Sequence, residues 1–530
     1  MTVYGIDLGT CYSCIARNDG AGGVAPVELI NNNGKKFVPS IVTFDRVSGQ
    51  PKVGDTGKAC LRSRPECTKA FVKREMHKEF CEAEISIAGR NRKISPVEVS
   101  ACILKHLLDG ANKIETGAGK SPATQAVITV PAKFDEQQRS RTKLAAQMAG
   151  IQVLGLLNEP TAAAIAYDIP AGNTVLVFDL GGGTLDVSIV TNDRGKYKVI
   201  GTPAGDDHLG GMDWDEKIIE LAFQKVGRQP DRSNAKVWNL LMSRAEKIKQ
   251  ALTDNEVVVA AEVDEGNIIE DCEVEITRDE FEILSKELLE RCWRVVDSAI
   301  ANAKAQVPNL KIDFFLTVGG SSRMPMIRKG IIERYGPTYG KQNESDWLRI
   351  KDPDTAIAIG ASKYAQMLAS GLSVDRFKSL EDKATRSYGL RVLQHDTPVI
   401  MNLVKSTDPI VFDKAIDDRL SVAKATQSLR VVVYENNSVE EFVQINDSVE
   451  ESAQINDRQR IIFDQYFDLK KTTEEGTPIQ VRVMRDKDGL IKIRFVCNNL
   501  QQTFDVNPPD QLIDAETKAN IERSLSLMKI

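Results

Sequence analysis

VLVFDLGGGTLDVS, Val175 to Ser188, carries an apolar run onto Asp179 and then into three glycines, Gly181, Gly182 and Gly183, with Thr184 next. The run predicts a buried strand and the glycines a turn after it. With no Cβ in the way, bare backbone N–H groups approach a polyanion without steric cost. Asp179 then stands where magnesium bridging phosphates would sit, an ion that keeps its waters and uses one or two protein carboxylates. Read alone, the stretch is equally a tight turn between two strands.

GIDLGT, Gly5 to Thr10, repeats the device: an apolar strand reaching Asp7 and then a glycine turn. Two such loops predict an internally duplicated α/β domain whose loops face one ligand. A third glycine turn, Gly319-Gly320-Ser321-Ser322-Arg323-Met324-Pro325, follows the predicted strand Phe314 to Val318.

Around these loops the chain alternates strands and helices, which implies a buried sheet of mixed or parallel type. Ser95-Pro96-Val97-Glu98 reads as a capping box, as does Thr277-Arg278-Asp279-Glu280, the second opening one long helix to about Ala299. Asp135 to Ala149 is a helix closed by Gly150; Asn158-Glu159-Pro160-Thr161 opens a small-residue helix, AAAIAY, suited to close packing. Helices are also expected from about Trp214 to Gly227, over Asn234 to Leu252, and from near Asp352-Pro353-Asp354-Thr355-Ala356 to about Leu368. Beyond Ser387 short β-rich runs dominate, at 390–393, 399–404, 429–434, 479–484 and 491–496, with Asp488-Gly489 as a hairpin signal. Gln444-Ile445-Asn446-Asp447 recurs at 454–457 in a polar stretch, expected to be a long loop. The expected organisation is a first domain over 1–369, a linker over 370–386, a β domain over 387–507 and a short helical segment over 508–530.

The 530 residues hold 69 basic and 75 acidic side chains, a net charge of −6, and 42% hydrophobic residues. That length predicts two to four domains, and the balance describes an ordinary soluble protein with no field for nucleic acid. Met1 leads directly into Val3-Tyr4-Gly5-Ile6 without a basic leader, and no apolar run reaches membrane-spanning length, so the expectation is a cytoplasmic protein with no membrane partner. The nine cysteines are scattered; Cys11 and Cys14 form one CxxC with no second pair, and reduced packing thiols are expected.

GIDLGTCYS, TVPAKFDEQQR, NEPTAAAIAY, VFDLGGGTLDVS, GDDHLGG and VGGSSRMP, in that order, resemble the signatures of the seventy-kilodalton heat-shock chaperones of the DnaK type. The likeness covers roughly residues 1 to 370 and extends more weakly to NLVKSTDPI and VVVYEN in the β region. It implies a duplicated actin-like, ribonuclease-H-like nucleotide-binding domain of two lobes, then a β-sandwich and a short C-terminal helix. The activity implied is slow ATP hydrolysis coupled to binding of unfolded or extended polypeptide, with ATP or ADP, magnesium and potassium as cofactors. A J-domain co-chaperone and a nucleotide exchange factor are the implied partners, and stress response the setting.

The same resemblance assigns Asp7 and Asp179 to the metal. Gly9, Thr10, Cys11 and Tyr12 fall to the first phosphate loop, and Gly181, Gly182, Gly183, Thr184 and Asp186 to the second. Lys73 and Glu159, with Asp7, Asp179 and Thr184, form the catalytic set. Gly319, Gly320, Ser321, Arg323 and Asp354 would lie by the adenosine, opposite Glu246, Lys249 and Thr253, with Gly210 and Gly211 completing the pocket. From residue type alone Lys73 is a solvated lysine, Glu159 a helix cap and His208 an exposed or structural side chain. Phosphoryl transfer to water needs mainly positioning and charge neutralisation, which such a donor set supplies.

Five departures from the family pattern stand out. Cys11 replaces a threonine, exchanging a hydroxyl for a weaker thiol donor. Gln250 replaces an arginine that stacks on adenine, and Gly155 an arginine of the J-domain contact. The leucine-rich linker is absent between Ser370 and Thr385. The single helix after the β region is too short for a peptide lid, so fast peptide dissociation is expected. A nucleotide-holding co-chaperone or adaptor with little turnover is the second reading, and a small-molecule kinase of the same duplicated fold the third.

Overall fold

The computed structural model describes residues 2–20, 23–29, 34–87, 89–259, 268–269, 272–340, 343–349, 352–370, 387–395, 397–405, 412–436, 438, 440–445, 459–486, 490–497, 500–505 and 512–528. The linker expected over 370–386 and the second copy of the QIND repeat lie outside them, apart from Ser370. The chain divides into two compact units: Met1–Ala132, Thr142–Lys378 and Ala515–Ile530 form one, Lys133–Arg141 and Ser379–Asp514 the other.

In the first unit Val3–Asp7 pairs parallel with Gln125–Val130 and antiparallel with Tyr12–Asn18. Thr174–Leu180 repeats the relationship, parallel with Phe314–Val318 and antiparallel with Leu185–Asp193. Each hairpin therefore sits in the middle of a mixed sheet. The orders are Gln152–Asn158, Gln125–Val130, Val3–Asp7, Tyr12–Asn18, Val24–Pro26 in one, and Leu348–Arg349, Phe314–Val318, Thr174–Leu180, Leu185–Asp193, Lys196–Asp206 in the other. VLVFDLGGGTLDVS is thus both a tight turn and the end of a central strand. Leu176, Phe178, Val187 and Ile189, all buried, show why these runs are apolar.

The small-residue helix meets its expected neighbour. Glu159–Ala166 packs on Ala356–Ala369 so closely that a Cβ on Gly360 would stand 1.8 Å from the Ala162 carbonyl oxygen. Ser95 caps Pro96–Gly117 through a bond from the Val97 N–H, 3.2 Å. Glu98 does not complete a box there: its carboxylate takes both arms of the Arg92 guanidinium, at 2.9 and 2.8 Å. The Thr277–Glu280 box forms, yet the long helix expected after it is broken at Ser285 into Arg278–Leu284 and Lys286–Gln306. Ala515–Leu527, within the short helical segment expected over 508–530, belongs to the first unit. Its Ser524 hydroxyl donates to Glu98 at 2.6 Å, and Ile521 is fully buried.

The second unit holds two antiparallel sheets. One runs Phe442–Gln444, Thr397–Val404, Ser387–Gln394, Thr426–Asn436, Arg460–Thr473; the other runs Phe412–Ser421, Pro478–Arg485, Ile491–Cys497, Leu500–Asp505. Phe412–Ser421 and Arg460–Thr473 are strands the sequence reading missed, because polar and charged residues interrupt their apolar alternation. Tyr388, Leu390, Val431 and Val433 from the first sheet share one core with Val481, Val483, Ile493 and Phe495 from the second. Period-two alternation sends Ile400, Val432 and Tyr434 to the opposite face, where they form a second buried cluster.

Candidate functional site

Both hairpin turns open onto one cavity of about 890 Å³ in the first unit. Asp7, Gly9, Thr10, Cys11 and Tyr12 line it from the first hairpin, and Asp179, Gly181, Gly182 and Thr184 from the second. Lys73 and Glu159 complete its acidic floor; Gly319, Gly320, Ser321, Arg323 and Asp354 face Glu246, Lys249 and Thr253 elsewhere on its wall. Gly183, Asp186, Gly210 and Gly211 are not part of that lining. Asp186 pairs with Asp179 across the hairpin, while the two residues at 210–211 back the second loop.

The second loop is held from behind by a helix N-terminus. Gly211–Lys225 begins there, and Gly211 and Met212 donate their N–H groups to the carbonyls of Gly181 and Gly182, at 3.0 and 2.8 Å. A Cβ on Gly182 would lie 2.3 Å from the Cys11 sulfur, so the two loops are in contact. Gly319, at φ +79°, could carry no side chain without striking the Leu180 carbonyl oxygen at 2.3 Å.

On the floor, the Lys73 ammonium donates to Glu159 Oε1 at 2.6 Å, with side-chain exposures of 12% and 6%. Burial raises the Glu159 carboxyl to about 7 against the pull of Lys73, with Asp7 and Asp186 reinforcing the rise. Asp179 is raised well above the ordinary carboxylate range by burial and by Glu159, Asp186 and Asp7. Burial likewise raises Asp7, opposed by Lys73 and by the Thr129 hydroxyl, which donates to it at 3.4 Å. Burial would lower Lys73, but Glu159, Asp7 and Asp179 carry it above its ordinary value. Several carboxylates thus crowd one ammonium, a surplus of negative charge that a hard, oxygen-seeking cation would neutralise. Among the described residues no three His, Cys, Asp or Glu side chains form a metal shell by themselves. The residues present fit magnesium.

Three partners here carry no recognisable sequence signal. Asp215 holds Lys249 at 2.7 Å, while Lys249 also donates to the Gly211 carbonyl at 2.7 Å. Burial raises Asp215 to about 6. Lys58 reaches Glu246 at 2.5 Å and the Tyr12 hydroxyl at 2.6 Å, and that hydroxyl donates to Glu246 at 3.0 Å. Arg74 donates to the Gly183 carbonyl. Arg323 is forked onto Asp354 at 2.7 and 3.1 Å. Burial pushes the Cys11 thiol up to about 12, and His208 is exposed.

A model of the Hsp70 protein family matches residues 3–506. The chain belongs to the Hsp70 family. It is 34% identical over 461 residues to "Chaperone protein DnaK" of Mycoplasmoides gallisepticum, covering 83% of this chain and 72% of that one. It is 37% identical over 380 residues to "Chaperone protein DnaK" of Thermotoga petrophila, 69% of this chain and 59% of that one. It is 35% identical over 399 residues to "Heat shock 70 kDa protein BIP3" of Oryza sativa, 69% and 56%. As an Hsp70 the chain is an ATP-dependent molecular chaperone and an ATPase, and the adaptor reading is not favoured. Hsp70 proteins bind ATP or ADP with magnesium and act on unfolded polypeptides with co-chaperones. No described helix is long and apolar enough to cross a membrane.

Proposed function

We propose that this Hsp70 chain binds magnesium-ATP in the 890 Å³ cavity and hydrolyses it slowly there. The reading rests on one observation: two hairpins of the same design bring Asp7 and Asp179 to a common acidic floor beside the Lys73–Glu159 pair. In this reading the N–H groups of the two glycine turns hold the β- and γ-phosphates with Thr10 and Thr184. Asp7 and Asp179 would hold magnesium, which supplies charge neutralisation on the transferring phosphoryl group. Glu159 orients and deprotonates the attacking water, and Lys73 offsets charge on the phosphoryl oxygens. Glu246, Lys249, Thr253, Arg323 and Asp354 would enclose the adenosine, with potassium as an accessory ion. The matching strand orders of the two sheets support the duplicated, two-lobed actin-like assignment.

The β unit would hold extended apolar peptide. The match to the Hsp70 family over residues 3–506, which includes this unit, supports this. A J-domain protein and an exchange factor in the cytoplasm are the proposed partners. The test combines phosphate release with titration of a fluorescent extended peptide, with and without ATP. Hydrolysis by the wild type, lost in Lys73→Ala, and peptide affinity weakened by ATP are expected. A chain that binds peptide identically with and without ATP contradicts the coupled reading.

A further inference from the structure

The three glycine carbonyls of the second loop all point to partners. Gly181 and Gly182 accept from Gly211 and Met212, which follow them in the same half of the first unit. The Gly183 carbonyl accepts from the guanidinium of Arg74, which sits in the short helix Val72–Glu75 next to Lys73. Gly183 is clamped: a Cβ on it would lie 2.8 Å from Arg74 Nη2, and a Cβ on Gly210 would lie 2.3 Å from its nitrogen. Asp213, at the start of Gly211–Lys225, accepts from the Gly210 N–H at 2.7 Å, and the charge of Arg74 opposes the burial that raises the Asp213 carboxyl.

We propose that Arg74 is a positioning residue for ATP hydrolysis, holding the Gly183–Thr184 peptide so that its N–H faces the transferring phosphoryl group. In a trans peptide the C=O and N–H point in opposite directions, so a carbonyl drawn to Arg74 turns the Thr184 N–H the other way. The same short helix places Lys73 on Glu159, so one element sets both the catalytic pair and the loop. This role rests on the cavity being the nucleotide site and deepens that reading; Arg74 itself does not line the cavity and acts through the loop.

The test uses the full-length chain with Arg74→Ala and Arg74→Lys, measuring ADP affinity and single-turnover ATP hydrolysis. Arg74→Ala should bind ADP within about threefold of wild type yet hydrolyse ATP about tenfold to a hundredfold more slowly, the scale of a small misplacement at a reacting centre. Low-millimolar guanidinium should restore part of that rate and leave wild type unchanged. Arg74→Lys, which keeps charge but loses the planar fork, should fall between the two and carries the test if the alanine variant does not fold. An unchanged rate in either folded variant overturns the proposal. So does a loss of ADP affinity equal to the loss of rate without guanidinium rescue, which would mark a purely structural contact. Wild-type protein that binds ATP but releases no phosphate would instead defeat the hydrolytic reading above, and this role with it.

Discussion

Lys73 Nζ lies 2.6 Å from Glu159 Oε1, an ion pair formed by residues 86 positions apart. Its members come from the short helix Val72–Glu75 and the first position of Glu159–Ala166, so neither carboxylate nor ammonium is free to drift. If Glu159 handles the attacking water, Glu159→Gln should lower single-turnover hydrolysis by about a hundredfold or more while ADP affinity changes little. Quench-flow with radiolabelled ATP measures the first and calorimetry the second.

The raised Glu159 carboxyl also makes a stability statement. Its folded value of about 7 exceeds the ordinary 4.5, so the folded state takes up the proton first. The resulting stabilisation is fully present below about pH 4.5 and is lost as pH rises through 7. Without nucleotide, wild type should therefore lose stability relative to Glu159→Gln between pH 5 and 8, as followed by urea denaturation. A pH-independent difference would show an ordinary carboxyl.

The crowded carboxylates of the floor make nucleotide and metal binding interdependent. At ligand a thousandfold above its dissociation constant, magnesium-ADP should stabilise the first unit by about 4 kcal/mol. Chelation with EDTA, or Asp179→Asn, should remove most of the corresponding shift in melting temperature. An ADP shift that survives EDTA undiminished excludes Asp7 and Asp179 as metal ligands.

Cys11 touches the second loop yet offers only a thiol that burial keeps protonated. Cys11→Thr introduces a hydroxyl donor, and a bond to a charged phosphate oxygen is worth about 1.5–3 kcal/mol. Turnover should rise by about tenfold if that bond forms mainly in the transition state. A tighter KM at constant kcat would place it in the ground state instead.

Gly319→Ala puts a methyl where the Leu180 carbonyl stands, at a backbone conformation reserved for glycine. The strain alone is about 1–3 kcal/mol, and thermal melting of the variant should show at least that loss. At the other end of the chain, Ile521→Ala should speed amide exchange across Ala515–Leu527, since emptying a buried isoleucine site costs about 2–5 kcal/mol. Exchange unchanged from wild type would mean the helix contributes no docking energy.

The hairpin turns, Ser95 and Thr277 as caps, and the close-packing Glu159–Ala166 helix could all be read in one dimension, since strand ends, glycine runs and caps depend on residues a few positions apart. The paired hairpins carrying Asp7 and Asp179 were legible for that reason, whereas Lys73 and Glu159 read locally as a solvated lysine and a helix cap and were assigned to the site only by the family resemblance. Other features required the folded chain. Arg74 on Gly183, Lys58 on Glu246 and Asp215 on Lys249 join residues 109, 188 and 34 positions apart. Nothing local separates such side chains from solvated ones. The return of Ala515–Leu527 to Pro96–Gly117 is of the same kind: its amphipathic pattern requires a partner but does not name one, because the fit between two apolar faces exists only once both have been brought together.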